Sequence, residues 1–236
     1  MNKHMGWTLF CIITVVFALI IVQNINHFVT VMSEYNPFSR THTFILDAGH
    51  GGIDGGATSC TGRLESGYNL QIAIRLNDFL QLLGYQTSMI RTTDISVYSE
   101  GTTIAAKKRS DLKERVRIVN STSNAILLSI HQNHFPDSRY SGAVVLFAPT
   151  PGSDTLARTL QQAFVDSLNP GSKRQSKHAE GVYLLQHIQC PGILIECGFL
   201  SNPLEEANLR DPDYQKKLIS VIGCTVCTHL PELEIT

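Results

Sequence analysis

Short apolar runs alternate along the chain with longer segments in which apolar residues recur at helical spacing. The apolar runs predict strands over 43–47, 85–91, 124–130, 142–148, 181–185 and 192–196. The segments between them predict helices over 66–83, 111–120 and 153–168, and two more that start at Asn202 and at Asp211. Strands that alternate with helices favour a single α/β domain with helices on both faces of its sheet.

Polar side chains mark the starts of the predicted helices. Asn202 is followed by Pro203, a pair typical of an N-cap and the first helical position. Ser66, Asp111 and Ser153 are predicted to cap the three earlier helices. Asp111 is chosen because a glutamate lies three residues after it, which is the spacing of a capping box.

Apolar residues also dominate 7–22, ahead of a polar segment. A membrane-spanning helix takes about 20 apolar residues, so this stretch is on the short side, and a cleaved export signal competes with an uncleaved anchor. No small-x-small cleavage motif follows Val22, which favours the anchor, and the rest of the chain is exported in either case. The predicted organisation is an N-terminal transmembrane anchor or uncleaved signal over 1–32, a linker over 33–42 and one folded domain over 43–232.

Composition limits the partners and the role of the cysteines. Among 236 residues, 19 Lys and Arg stand against 20 Asp and Glu, so the basic footprint of a nucleic-acid-binding protein is missing and no nucleic-acid partner is expected. The six cysteines are scattered, and Cys224 and Cys227 form a C-x-x-C pair without the second pair that a structural zinc site needs. We expect the cysteines to be buried small hydrophobes.

Three of the apolar runs end in a residue that can bind metal or transfer protons. His50 follows the first run at a glycine-rich break, His131 follows the third, and Glu196 ends the last. In open α/β sheets, ligands bind beyond the carboxyl ends of the strands, where such residues meet. Glu65 follows the glycine-rich loop after His50. Because charged and imidazole groups are rarely buried without partners, the recurrence favours one shared site.

Two histidines and one carboxylate suffice as protein ligands of a hydrolytic zinc ion, which keeps one position open for water. We predict that His50, Glu65 and His131 bind Zn²⁺. Glu196 is the predicted catalytic base, which moves a proton from water to a leaving amine. Imidazole and carboxylate ligands suit zinc, although softness alone does not exclude other divalent ions.

Four neighbouring positions are candidates for supporting roles. Asp47 is a candidate acceptor for the second ring nitrogen of His50, with a loop-capping role as the equal alternative. Asn133 is a candidate substrate contact or a residue that closes a turn, and Gly142 is a candidate for leaving room for a ligand backbone. His134 is expected to be an exposed loop residue, with a substrate contact or a rival metal ligand as the alternatives.

Four motifs occur in a fixed order along the exported part of the chain. They are Asp47-Ala-Gly-His-Gly-Gly-Ile-Asp-Gly-Gly-Ala, Glu65, Ser129-Ile-His-Gln-Asn and Ile195-Glu-Cys-Gly-Phe-Leu-Ser-Asn. Together they resemble the zinc-dependent N-acetylmuramoyl-L-alanine amidases of bacterial cell walls, amidase type 3. The segment 99–117, the N-terminal apolar stretch and the chain length resemble the germination-specific members of endospore-forming bacteria.

The resemblance implies a fold and a reaction. The fold is a six-stranded, mostly parallel or mixed sheet flanked by helices. The reaction is hydrolysis of the amide between the lactyl group of N-acetylmuramic acid and L-alanine in peptidoglycan, with the same ligands and base as above. In the germination-specific members, removal of stem peptides prepares muramic-δ-lactam in the spore cortex. The expected location is the outer face of the cytoplasmic membrane or the forespore intermembrane space.

The chain also departs from the resemblance. Many relatives carry an arginine near 183–186, where this chain has Tyr-Leu-Leu-Gln, so the usual bidentate partner of a substrate carboxylate is missing. A long insertion of the kind that covers the site in some division amidases is also absent from the sequence. We therefore hypothesise control by the timing of synthesis or by an activating protein partner.

The sequence leaves two other functions possible. One is a zinc exopeptidase on ordinary peptides, which shares the fold logic and ligand types and differs in releasing single amino acids. The other is a non-catalytic wall-binding protein with a vestigial metal site. That reading requires loss of a ligand or of the base, and all four residues are present.

Overall fold

Six strands form one sheet in the computed structural model, which describes residues 42–229. They are β1 (Thr43–Ala48), β2 (Gln86–Met89), β3 (Ala125–Asn133), β4 (Val144–Phe147), β5 (Lys177–His178) and β6 (Gly192–Phe199). The strand order is β2-β1-β3-β6-β4-β5. Every neighbouring pair is parallel except β4 and β6, which are antiparallel. The predicted α/β class and the six-stranded mixed sheet are thereby confirmed.

Helices cover both faces of the sheet. They are α1 (Glu65–Leu82), α2 (Ile104–Asn120), α3 (Ser153–Ser167), α4 (Tyr183–His187), α5 (Pro203–Arg210) and α6 (Pro212–Thr228). Successive strand residues point to opposite faces. Phe44 and Leu46 therefore pack in the larger core with α1, α3 and α6, whereas Ile45 packs in the smaller core with α2 and α4.

The register of the central strands brings their carboxyl ends to one edge of the sheet. Asp47 of β1 lies beside Ser129 of β3. His131 of β3 lies beside Glu196 of β6, and the β3–β6 register then shifts before Asn133. The parallel pairing of β1, β3 and β6 thus delivers the ends of three strands to the same place, as expected for an open α/β sheet.

One predicted strand is a helix. The run 181–185 was predicted to be a strand, but Tyr183–His187 forms the short helix α4. Leu184 and Leu185 are both buried in the smaller core, although a half-buried strand would turn one of them away from it. A short apolar run does not distinguish a strand from a buried helix, which explains the error. The missing strand is instead β5, in a polar segment.

Three predicted caps are wrong. Helix α2 begins at Ile104, and its N-cap is Thr103, whose side chain accepts from the N–H of Ala106 at 3.1 Å. Asp111 therefore lies inside α2. Ser153 is the first residue of α3, and its Oγ accepts from Gly192 N at 2.9 Å rather than capping the helix.

The start of α1 also differs, whereas the start of α5 agrees. Leu64 occupies the N-cap of α1 without a side-chain bond, so Ser66 lies within the first turn. Asn202 caps α5 and accepts from the N–H groups of Leu204 and Glu205 at 3.0 and 3.2 Å. Pro203 follows as the first helical residue, so this prediction is confirmed.

Residues 1–41 and 230–236 lie outside the described residues, and the predicted anchor and most of the predicted linker fall there. Within 42–229, no helix has the length and apolar character needed to cross a membrane. Cys197 is buried as expected, but Cys60 and Cys224 are exposed, so the expectation of burial is wrong for those two residues.

Candidate active site

The loop after β1 presents His50 in a conformation that few side chains adopt. Its φ is +60°, in the left-handed region. Two arginines hold the loop through successive carbonyl groups: Arg91 donates to Ala48 O at 2.7 Å and Gly49 O at 2.9 Å, and Arg115 donates to His50 O at 2.8 Å. These charge-assisted bonds offset the local strain and fix the direction of the His50 ring.

Each ring nitrogen of His50 faces a carboxylate. Nδ1 lies 2.8 Å from Asp54 Oδ2, and Nε2 lies 3.3 Å from Glu65 Oε2. A tight turn brings Asp54 back, since the backbones of Gly51 and Asp54 bond to each other at 2.7 and 3.1 Å. Burial lowers the pKa of His50, but the bonds and charges of Glu65 and Asp54 raise this pKa to about 9.

Asp54, not Asp47, is the acceptor beside His50. Asp47 is buried, and it accepts from Ser129 Oγ at 2.6 Å and from the Arg115 guanidinium. Burial raises the pKa of Asp47, but the charges of Arg115 and His131 and the hydrogen bonds from Ser129 and Arg115 together outweigh burial and lower this pKa. The prediction that Asp47 orients His50 is therefore wrong. Spacing in the motif could not decide between two aspartates, because the fold of the glycine turn selects one of them.

Glu65 accepts several hydrogen bonds from backbone and side chains around it. It begins α1, is 4% exposed, and accepts from Ala57 N at 2.9 Å, from Gln132 N at 3.1 Å and from Asn69 Nδ2 at 3.2 Å. Burial raises the pKa of Glu65, but the bonds and charges of His131 and His50 outweigh burial and lower it well below its usual range. The carboxylate is therefore held ionised.

His131 enters the site from β3. Its Nδ1 lies 3.0 Å from Glu65 Oε1, and its ring centroid lies 5.0 Å from that of His50. The ring packs directly against Gly49, where an added Cβ would lie 2.2 Å from His131 Nε2. Only glycine at that position lets the β1 loop and the β3 end approach so closely.

These three side chains form a candidate metal site. One ligand atom from each of His50, Glu65 and His131 lies within 4.8 Å of the others. Two imidazoles and a carboxylate are the donor types that zinc accepts in hydrolytic sites, so the residues fit that ion. The structure thus brings the three predicted ligands together.

Glu196 of β6 has a different environment. Its Oε2 atom is buried and has no hydrogen-bond partner among the described residues. Burial raises the pKa of Glu196 to about 7, with His131 lowering it and Glu65 raising it further. A buried acceptor without a donor is costly unless a ligand or cation satisfies it, so this atom also fits a metal-dependent reaction.

A cavity of about 330 Å³ opens beside these groups. His50, His131 and Glu196 line it together with apolar side chains of α2, α4 and β6. Asn133 and Gly142 are not among its lining residues. The carbonyl of Asn133 accepts from Leu200 N at 2.8 Å, and the N–H of Gly142 donates to Glu205 Oε1 at 2.7 Å. Both therefore have structural contacts of their own.

His134 is exposed, as expected. Several polar residues that support or line the site were not predicted from the sequence, among them Asp54, Asn69, Lys108 and Arg115. Asp54 stands in the quoted first motif, which was a usable signal. The other three lie on helices at positions where no pattern separates them from solvated polar residues.

Comparison with known proteins agrees with this geometry. The profile of the N-acetylmuramoyl-L-alanine amidase family matches residues 44–226. The chain belongs to this family of amidases. It is 36% identical over 190 residues to the germination-specific N-acetylmuramoyl-L-alanine amidase of Bacillus subtilis (strain 168), covering 79% of each chain.

Two solved structures are similar to the described fold. The CwlD amidase from Clostridioides difficile, in complex with the GerS lipoprotein, superposes with a TM-score of 0.77 at 34% identity, covering 80% of this chain and 98% of that one. The N-acetylmuramoyl-L-alanine amidase from Clostridium difficile 630 has a TM-score of 0.71 at 31% identity, covering 82% and 98%. The predicted membership of the amidase family is confirmed.

Proposed function

We propose that this chain uses zinc to hydrolyse the amide between the lactyl group of N-acetylmuramic acid and L-alanine in peptidoglycan. His50, Glu65 and His131 hold the ion. The observation that carries the proposal is the cluster of these three donors beside a cavity that also exposes Glu196. A zinc ion bound there supplies a Lewis acid for the amide carbonyl and lowers the pKa of water to about 7.

Glu196 is the general base of the proposed reaction. In the metal-free protein its pKa is raised to about 7, and a carboxyl group whose pKa lies near the working pH both accepts and returns a proton efficiently. Its Oε2 atom has no competing donor among the described residues. Glu196 therefore takes a proton from the attacking water and gives it to the amine of the leaving L-alanine.

The surrounding residues orient the ligands. Asp54 accepts the Nδ1 proton of His50, which leaves Nε2 for a cation. Backbone N–H groups of Ala57 and Gln132 hold Glu65 in place, and His131 and His50 keep it ionised. Since His50 carries a proton near neutral pH in the metal-free protein, binding of the ion releases it, and metal affinity rises with pH.

The germination-specific relatives suggest the biological setting. At 36% identity to one of them, this chain is proposed to remove stem peptides and so prepare muramic-δ-lactam in spore cortex. Residues 1–32 are proposed to anchor it at the outer face of the cytoplasmic membrane or in the forespore intermembrane space. The relative from Clostridioides difficile was solved with a lipoprotein, which supports an activating protein partner for this chain as well.

The test uses the purified full chain, freed of metal and then titrated with zinc. Muramoyl-peptide fragments are incubated with it, and the products are weighed by mass spectrometry. We expect intact stem peptide and unsubstituted muramic acid. Stepwise release of single amino acids would instead establish an exopeptidase. No cleavage by a zinc-loaded sample, with or without spore-coat extract as a source of a partner, would identify a non-catalytic domain.

Two variants calibrate this assay. Glu196→Gln removes the base without changing the shape of the side chain, and it should bind zinc but produce no stem peptide. Glu180→Gln is the matched control, because Glu180 is exposed and lies outside the lining of the cavity. Equal activity of Glu196→Gln and Glu180→Gln would rule out Glu196 as the base.

A further inference from the structure

Two cationic side chains besides the histidines line the cavity in the described part of the chain, Lys108 and Arg115. Arg115 is buried, and its guanidinium is engaged in hydrogen bonds to other protein groups. It donates to Asp111 Oδ2 at 2.6 Å and to His50 O at 2.8 Å, and it pairs with Asp47. Its guanidinium therefore has no capacity to serve a substrate without breaking the loop that carries His50.

Lys108 has the opposite character. It lies on α2, its side chain is 48% exposed, and its Nζ lies 2.7 Å from Asp54 Oδ1. An ammonium group has three N–H donors, and this carboxylate oxygen occupies one of them. Asp54 is in turn supported by His50 Nδ1 at 2.8 Å, so it does not depend on Lys108 alone. Lys108 can thus bind a second anion while it keeps its contact with Asp54.

The carboxylates of the lining, apart from Glu196, pair with Arg115, His50 or Lys108, and several of the other lining side chains are apolar. Helix α4 contributes Tyr183 and Leu184, Val182 precedes them, and Leu112 of α2 lies nearby. An anionic part of a ligand is therefore directed to Lys108, the half-exposed ammonium group that lines the cavity in the described part of the chain. The apolar wall is left for methyl and methylene groups.

The structure of a muramoyl-peptide determines which part of the substrate carries a negative charge. In a muramoyl-peptide, the lactyl carboxyl group is consumed in the amide that is to be cleaved. The carboxylates of a muramoyl-peptide fragment therefore belong to its peptide. We propose that Lys108 binds a peptide carboxylate and selects substrates in which that carboxylate is free, an inference that rests on the proposed amidase function.

The test compares N-acetylmuramoyl-L-alanyl-D-glutamate with the same compound carrying carboxamides in place of both carboxylates. Binding of each is measured by calorimetry on the zinc-loaded full chain with Glu196→Gln, which prevents turnover. Cleavage of each is measured as kcat/KM on the chain with Glu196 intact. Both measurements are repeated with Lys108→Met and Lys108→Arg.

We expect a preference of about tenfold for the carboxylate in binding and in kcat/KM, the size of one charge-assisted hydrogen bond. Lys108→Met should abolish the preference by weakening the carboxylate substrate alone, and Lys108→Arg should retain most of it. Lys107→Met is the matched control, since Lys107 lies over the ring of Tyr98, 5.1 Å from its centroid, and does not line the cavity. It should keep the full preference.

Other results would overturn the inference. An equal loss for both substrates in Lys108→Met, or a drop in its zinc content, would mean that Lys108 only supports Asp54 and His50. Equal binding of the two ligands by the chain with Lys108 intact, or no binding of either, would also overturn it. If the chain cleaves neither substrate, the proposed function fails, and the calorimetric preference and its loss in Lys108→Met still decide the role of Lys108.

Discussion

Two glutamates stand in the same site and are treated in opposite ways by the protein. Glu65, at the start of α1, accepts from two backbone N–H groups and from Asn69, and its pKa is lowered. Glu196, in the middle of β6, has a buried oxygen without a donor among the described residues, and its pKa is raised to about 7. The difference lies in the two histidines: hydrogen bonds and charges from His131 and His50 lower the pKa of Glu65, whereas burial dominates for Glu196 and the charge of Glu65 raises its pKa further.

The comparison supports the two proposed roles. A carboxylate that is surrounded by donors stays ionised and rigid, which suits a metal ligand. A carboxyl group with few donors gains and loses its proton near neutral pH, which suits a base. Pairs of titratable groups whose environments separate their pKa values are the physical signature of such a division of labour.

The largest effects are expected when each of the two carboxylates is replaced by an amide. Glu196→Gln is expected to lower kcat by about 10³-fold or more while zinc remains bound, since general base catalysis contributes about 10²- to 10⁴-fold. Glu65→Gln is expected to lose zinc and with it activity. Metal content and turnover are measured on the same samples. Loss of zinc from Glu196→Gln with retention in Glu65→Gln would reverse the assignment.

A smaller effect concerns stability without metal. The unfolded chain ionises Glu196 near pH 4.5, whereas the folded protein keeps it protonated up to about pH 7. The metal-free protein therefore loses stability as pH rises through this window. Glu196→Gln removes the loss and should be more stable at pH 8 by at most about 3 kcal/mol, with no gain at pH 4. Urea unfolding of both metal-free proteins at pH 8 and pH 4 measures the difference in the free energy of unfolding. An equal gain for Glu196→Gln at pH 4 would contradict the prediction.

The next largest effect is expected from removing the carboxylate that accepts the proton of the His50 ring. Asp54→Ala removes the acceptor of the Nδ1 proton and should weaken zinc binding by about 10- to 100-fold, as loss of such a partner usually does. At saturating zinc, kcat should recover largely. Competition with a chelator gives the affinity. Asp137→Ala is a suitable control because, within residues 42–229, the Asp137 carboxylate pairs with the exposed Arg139 and with no residue of the site. Unchanged affinity in Asp54→Ala would return the orienting role to another group.

The smallest expected effect tests one donor of Glu65. Asn69→Leu keeps the size of the side chain but removes its bond to Glu65 Oε1, together with its bonds to Gly49 O and Gln132 Nε2, which do not involve the proposed metal ligands. The two backbone donors remain, so zinc affinity should fall by only about fivefold, the equivalent of one net hydrogen bond. A larger fall than in Asp54→Ala, by the same competition assay, would show that the backbone donors do not hold Glu65 by themselves.

Much of the fold and the site could be predicted because strand ends carry the chemistry. His50, His131 and Glu196 follow apolar runs, and parallel pairing brings such ends together whatever the rest of the chain does. The strand predicted over 181–185 failed because five apolar residues have no period of their own, and packing made them α4.

Helix boundaries and the hydrogen-bond partners of the site residues were less predictable, for a different reason. The capping-box spacing at Asp111 was satisfied by chance, since its carboxylate serves Arg115 and the N–H of Val97 within the folded protein. Likewise, the choice of Asp54 over Asp47 depends on how a glycine turn bends in space. Such contacts are decided by tertiary structure, which local spacing does not contain.

The two arginines that hold the loop after β1 also bear on how the ion is exchanged. Arg91 and Arg115 fix the carbonyls at 48–50 through protein atoms alone. The conformational entropy of this loop is therefore lost when the chain folds, not when the ion arrives. Zinc uptake is then a ligand-exchange reaction on a finished scaffold, unlike the metal-dependent folding of a zinc finger. Under the proposed function, a molecule stripped of its ion keeps its shape and resumes work as soon as the ion returns.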